Sequence, residues 1–365
     1  MIPLRAVLTN IHDYVPGKSI DEIKERHGLS EVIKLASNEN PLGPSPKAKE
    51  AYLKASNDLQ LYPRGDCPQL RQALSAYLKI PEDHIVLGNG SDEVLLFIAE
   101  ASLGPGTEAL TCTPTFSLYE AVTVASGAEF QTLPLKNWAF DLDALQKAIT
   151  PDTRVLFICN PNNPTGAYVG REALLTFLRS VPDHVLIVLD QAYSEFADAS
   201  DYSDLLDYLD KFPNLLLVRT FSKVWGLAGL RIGYGIGSPD IIAQLWKVKP
   251  PFNVNLAAQA AAAAALKDQE HFQRSLTLAA EGKKQLQQGL AELKVGVLPS
   301  QANFLALRCG EHCPQLVSWL ESKGMIVRGL SNFGLSHWLR LSVGLESQNQ
   351  RFLELLAEAR KLGVF

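Results

Sequence analysis

The chain has 365 residues, 47% of them hydrophobic, with a formal net charge of -5. That length exceeds what one hydrophobic core usually supports, so a large domain with a smaller companion is expected. Mild acidity and the lack of any long run of like charge argue against nucleic acid or an anionic membrane as partner, and favour small-molecule chemistry.

Residues 1–46 read as an irregular N-terminal arm, with turn signals at Pro16-Gly17 and a proline-rich exit through Pro41, Gly43, Pro44 and Pro46. Arg5, His12 and Asp13 interrupt any apolar run at the start, so a secretory leader is not expected. Over 47–270, helix-like and strand-like segments alternate, with apolar runs at Ile85 to Leu87, Val155 to Cys159, Val185 to Leu189 and Leu215 to Val218. This predicts a large α/β domain, a sheet covered by helices.

From Ile241 to about Leu293 the chain is rich in Ala, Leu, Gln and Lys without proline after Pro251, which predicts helices bridging two domains. The small-apolar run Ala257 to Leu266 is broken by Gln259 and falls short of the roughly 20 residues of a membrane span. Residues 271–365 read as a small α+β C-terminal domain, with strands expected near Phe304 to Leu307, Met325 to Val327 and Leu339 to Ser342 around a helix from Pro314 to Ser322. Five cysteines, an odd number spread through a long chain, suggest a reducing, cytoplasmic setting. Cys309 and Cys313 flank His312, but no second ligand cluster accompanies them, so no metal is expected.

Four segments carry chemistry. Val86 to Glu93 places a strand, a glycine turn and a helix start in succession; Gly90 and Ser91 could offer amides to a phosphate, or Ser91 or Asp92 could simply cap a helix. A dinucleotide fingerprint is disfavoured, because the third glycine is missing. Asn160-Pro161-Asn162-Asn163-Pro164-Thr165-Gly166 follows a strand, where its asparagines could serve a ligand or bond their own turn. Asp190 ends an apolar strand, with Tyr193 three residues on; its carboxylate could pair with a protonated ring nitrogen or cap the next helix. Lys223 follows another strand in Thr220-Phe221-Ser222-Lys223, with Arg231 nearby; a lysine beside a second cation and out of water can lose its proton and attack a carbonyl, although a lone lysine is more often solvated.

Together, GSDE at 90–93, NPNNPTG at 160–166, DQAY at 190–193 and TFSKVWGLAGLRIGY at 220–234 resemble the aspartate-aminotransferase-like, fold-type I pyridoxal-phosphate enzymes. Within that superfamily LASNENPLGPSP at 35–46, YPRG at 62–65, PFNVN at 251–255 and the closing VRGL and LRLSVG look like the histidinol-phosphate aminotransferases, over nearly the whole chain.

The resemblance implies a large domain with a mostly parallel seven-stranded sheet flanked by helices. It implies that Lys223 binds pyridoxal 5′-phosphate covalently, that Asp190 pairs with the pyridine nitrogen and that Asn163 and Tyr193 bond the ring hydroxyl. Gly90, Ser91, Thr220, Ser222 and Arg231 would hold the phosphate, and Phe116 would stack on the ring. Tyr62 would reach the phosphate from the partner subunit of a homodimer. Arg340 and Arg328 would grip substrate anions, Tyr14 would close the pocket and Asn303 would orient the substrate. The implied reaction exchanges an amino group between L-histidinol phosphate and 2-oxoglutarate. Phe116, where a tyrosine is common, still provides a stacking face, whereas Trp225 could reshape the substrate pocket. Phenylalanine or tyrosine transamination and threonine-phosphate-type decarboxylation are the alternatives.

Overall fold

Residues 5–11 and 17–365 are described in a computed structural model of the chain. After a 3-10 turn at Ala6–Asn10 come α1 (Ile20–His27) and β1 (Ile33–Lys34). The sequence reading expected irregular chain here. The helix forms because Ser19 accepts from the Glu22 amide at 3.1 Å and Gly28, at φ 64°, provides the left-handed stop.

α2 (Pro46–Ala55) and α3 (Pro68–Leu78) lead to β2 (Ile85–Gly88) and α4 (Ser91–Ser102). Next come β3 (Glu108–Thr113), α5 (Leu118–Ser126), β4 (Glu129–Pro134), α6 (Leu142–Ala148), β5 (Thr153–Cys159), α7 (Arg171–Ser180), β6 (Leu186–Asp190), β7 (Leu215–Thr220) and β8 (Gly233–Gly237). The bridging segment is helical as expected: α8 (Pro239–Val248), α9 (Leu256–Ala265) and α10 (Gln269–Glu292). The C-terminal part holds β9 (Gly296–Val297), β10 (Phe304–Arg308), α11 (Cys313–Ser322), β11 (Met325–Ile326), β12 (Arg328–Gly329), β13 (Trp338–Ser342) and α12 (Glu346–Lys361).

The large sheet has seven strands in the order β2-β8-β7-β6-β5-β3-β4. β8 alone runs antiparallel to its neighbours, and the other pairings are parallel. Helices cover both faces, which is why β5, β6 and β7 are almost continuously apolar and buried. Three strands carry weaker signals: β3 mixes threonine and cysteine into its run, β4 is an exposed edge, and β8 reads Gly-Tyr-Gly-Ile-Gly. Gly233 is obligatory in β8, since a Cβ there would lie 2.2 Å from the Ser91 amide nitrogen.

A second core gathers Leu286 and Leu290 of α10, Leu305 and Leu307 of β10, Leu316 of α11 and Phe352 of α12. Leu35, just past β1, belongs to this core. β1 pairs in parallel with β11, and the Leu35 carbonyl accepts from the Ser342 amide at 2.9 Å. That pairing threads residues 35–40 between the second core and the large sheet, at the carboxyl ends of β6 and β7.

Candidate active site

The register of the large sheet fixes the site. Cys159, Asp190 and Val218 are lateral neighbours across β5, β6 and β7, so the loops after these strands open side by side. The carboxyl ends of adjacent parallel strands form the crevice where α/β sheets receive ligands.

Lys223 stands in the loop after β7. Phe221, fully buried, anchors that loop by exchanging backbone bonds with Ile232 and Leu227 at 3.0 Å each. The Lys223 ammonium donates to the Ser37 carbonyl at 3.0 Å and lies 5.6 Å from the centre of the Tyr193 ring. Its pKa is pushed down to about 8, first by burial and then by the Arg340 charge, while Glu39 and Asp92 act in the opposite direction. A substantial neutral fraction near physiological pH gives a nucleophilic amine and a proton acceptor.

Asp190, 3% exposed, accepts the Tyr119 hydroxyl on Oδ2 at 2.7 Å and the Ala192 amide on Oδ1 at 3.1 Å. Burial pushes its carboxyl up to about 6, against the Tyr119 bond. The Tyr193 hydroxyl accepts from Asn38 Nδ2 at 2.9 Å, and burial raises it to about 12. Asn163 Oδ1 accepts from Arg340. Asn162, by contrast, is taken up by structural bonds to Pro114 and Thr115 in the loop after β3 and to Thr165 in its own loop. Phe116 is half-buried and meets Tyr119 edge to face at 5.6 Å.

A second group lies at the start of α4. Gly90, at φ 86°, turns β2 into the helix, and Ser91 occupies the first helical position. Arg231 crosses above that turn, so close that a Cβ on Gly90 would be 2.6 Å from its Nη2. Its Nη1 donates to Ser222 Oγ at 3.4 Å and to the Ala228 carbonyl at 3.1 Å, while Nη2 pairs with Asp92 at 3.1 Å. Thr220 Oγ1 accepts the Ser222 amide at 3.0 Å. A helix N-terminus, a guanidinium and hydroxyls thus converge, the arrangement that receives a phosphate.

Opposite Lys223 lies the four-stranded sheet of the second core. Arg328 on β12 and Arg340 on β13 are direct cross-strand partners. Two guanidiniums side by side on one face of the sheet could grip an anion together. Arg340, 7% exposed, donates to the Ala36 carbonyl at 2.7 Å as well as to Asn163, and its guanidinium lies 5.4 Å from the Phe304 ring centre. Asn303 Nδ2 donates to the Asn38 carbonyl at 3.0 Å, whereas its buried Oδ1 has no hydrogen-bond partner among the described residues.

Three residues of the site had no role expected for them from the sequence. Asn38, fully buried at φ 56°, joins Tyr193, Ser342 and Asn303. Ser342 shares the Arg340 face of β13 by the two-residue period of a strand, which was a usable signal. Tyr119 follows Phe116 by three residues, at the first turn of α5.

One expected member stands apart. Tyr62 is 84% exposed and stacks on Phe252 at 4.9 Å, away from the Lys223 group of its own chain. Tyr14 lies outside the described residues. The expectation that Trp225 shapes the substrate pocket is corrected: it is 3% exposed and packs on Phe272 at 4.7 Å and edge-on to Tyr77 at 5.6 Å, inside the large core. Its apolar bulk is satisfied there. Cys309 and Cys313 are buried beside each other; their contact and burial raise the Cys309 thiol. Among the described residues no helix is long and apolar enough to cross a membrane.

Residues 30–356 match the family model of aminotransferases of class I and II. The chain is 45% identical to a histidinol-phosphate aminotransferase of Moorella thermoacetica over 97% of this chain and 92% of that protein. It is 43% identical to one of Caldicellulosiruptor saccharolyticus over 97% of this chain and 99% of that protein. Among solved structures, the histidinol-phosphate aminotransferase of Sinorhizobium meliloti in complex with pyridoxal-5′-phosphate superposes with a TM-score of 0.88 at 26% identity, covering 98% of this chain and 96% of that one.

Proposed function

The chain belongs to the family of class I and II aminotransferases, and from that premise we propose that it exchanges an amino group between L-histidinol phosphate and 2-oxoglutarate in histidine biosynthesis, with pyridoxal 5′-phosphate as cofactor. The observation that carries the substrate choice is the facing pair Arg328 and Arg340. Two guanidiniums suit a phosphate, and one of them suits the carboxylate of L-glutamate or 2-oxoglutarate.

The residues present fit the cofactor. Gly90 leaves open the space a Cβ would fill beneath Arg231, and Ser91, Thr220 and Ser222 add donors around it. Asp190 carries a buried carboxylate at an apolar strand end, where a cationic N–H would balance its charge. Asn163 and Tyr193 would take the ring hydroxyl, and Phe116 would cover the ring face. When bound, pyridoxal 5′-phosphate supplies an aldehyde that takes amines covalently and a ring that receives the electron pair of the broken substrate Cα–H bond.

Lys223 would hold the cofactor covalently, and its amine, once free, would take the proton from substrate Cα and pass it to the cofactor rather than back to Cα. Asp190 would keep the ring nitrogen protonated. Arg340 would bind the carboxylate of L-glutamate or 2-oxoglutarate and the phosphate of the other substrate in turn, with Arg328 added for the phosphate. Asn303 orients the substrate through its open Oδ1, and Tyr14 closes the pocket from the arm.

We also infer a homodimer in which Tyr62 reaches the partner's phosphate site. The support is an exposed apolar patch of Leu53, Leu59, Leu61, Tyr62 and Phe252. Residues 1–46 form the arm, 47–270 the cofactor-binding domain and 271–365 the small domain. Five buried, free cysteines support a cytoplasmic setting.

The test is the absorbance change of cofactor-loaded protein mixed separately with L-histidinol phosphate, L-glutamate, phenylalanine and tyrosine. Rapid conversion by the first two is expected. Equal rates with phenylalanine would replace the assignment with an aromatic transaminase, and carbon dioxide release without 2-oxoglutarate consumption would replace it with a decarboxylase.

A further inference from the structure

Asp190 is shared between a backbone amide and a tyrosine that no sequence motif marks. Tyr119 is fully buried on α5, its ring stacked on Phe157 of β5 at 4.7 Å with the planes 1° apart, and edge-on to Phe116 at 5.6 Å. Those two contacts leave the phenol little freedom, and they aim it at Asp190 Oδ2, 2.7 Å away. Thr123, one turn later, bonds the Tyr119 carbonyl at 2.7 Å and ties down the start of the helix.

The stoichiometry of lone pairs is specific. A carboxylate offers about four acceptor positions, two per oxygen. The Ala192 amide takes one on Oδ1 and the Tyr119 hydroxyl one on Oδ2. Each oxygen keeps one for a ligand's N–H, and rotation of the carboxylate would break both protein bonds.

We propose that Tyr119 is a positioning residue of this site: by donating to Oδ2 it holds the Asp190 carboxylate ionised and turned toward the place of the cofactor's ring nitrogen. The inference rests on the cofactor assignment above for what Asp190 meets, but not for the bond itself. The charged and titratable groups around Asp190 are Lys223 and Asp92 on the site side, Cys159 on β5 and Tyr193 after β6. Of these, Lys223 alone favours the carboxylate, while Asp92 opposes it. Removing the phenol donor therefore shifts the balance toward the protonated acid, which cannot hold a ring N–H⁺ in place.

The deciding measurement uses cofactor-free protein labelled with ¹³Cγ-aspartate, the Asp190 resonance being identified by its loss in Asp190→Asn. In Tyr119→Phe the titration midpoint of Asp190 should rise by roughly one pH unit. The dissociation constant of pyridoxal 5′-phosphate should rise about tenfold. Installing 3-fluorotyrosine at position 119, a stronger donor of unchanged shape, should lower the midpoint, which keeps the proposal testable if Tyr119→Phe does not fold. Unmoved midpoints in the folded variants would overturn it. The cofactor reading fails separately, if unmodified protein gives no absorbance band on adding pyridoxal 5′-phosphate.

Discussion

Lys223 is held where its charge is poorly solvated and faces Arg340, so its amine is made useful at the expense of folding free energy. With a folded pKa near 8 against an ordinary value of 10.5, the group destabilises the cofactor-free fold fully below pH 8, and the deficit fades as pH rises toward 10.5. Lys223→Met should therefore stabilise cofactor-free protein by roughly 2 kcal/mol at pH 7, with the gain shrinking by pH 10, as denaturant melts across pH would reveal. A constant gain at all pH values would mean that the amine is not perturbed. The same variant should lose at least about 10³-fold in turnover with cofactor supplied. Lysine, arginine and hydroxyls of this loop were legible together because they lie within one short stretch. Asn38 and Tyr119 were not, because their partners Tyr193 and Asp190 are 155 and 71 residues away.

At the level of elements, β8 and the start of α4 depend on backbone contact. A methyl on Gly233 would strike the Ser91 amide, so Gly233→Ala should cost about 3 kcal/mol or more in thermal or denaturant unfolding. It should also weaken cofactor binding, because the same amide borders the phosphate site; normal affinity in the variant would argue against that site. β12 and β13 make the complementary case on the other wall. Arg340→Ala should raise KM about 10- to 100-fold for both L-glutamate and L-histidinol phosphate, whereas Arg328→Ala should raise it for the phosphate ester alone. Steady-state kinetics on the two substrates would separate these patterns. The buried strands β2, β5, β6 and β7 were legible as apolar runs, since parallel strands covered on both faces need no polar alternation. β3, β4 and β8 were not: mixed composition, an exposed edge and alternating glycines each erase that signal.

For the whole molecule, the proposed pairing of subunits has a direct consequence. A Tyr62→Ala protomer and a Lys223→Ala protomer should complement each other: co-expressed, they should recover about a quarter of parental activity at limiting cofactor, since half the dimers are mixed and each has one intact site. No recovery in mixed dimers, with mass measured by light scattering, would remove Tyr62 from the shared site. By itself the sequence determined the α/β alternation, the loops at the strand ends and which side chains, Lys223, Asp190, Arg231 and Arg340, are proposed to carry the chemistry, because short contiguous motifs carry both local conformation and reactive groups. Only the tertiary structure decided that Arg328 faces Arg340, that Asn38 links Tyr193 to β13, that Tyr119 serves Asp190 and that Trp225 turns into the core. Those relations depend on strand register and on helix packing across long separations, and neither is encoded by any one stretch of chain.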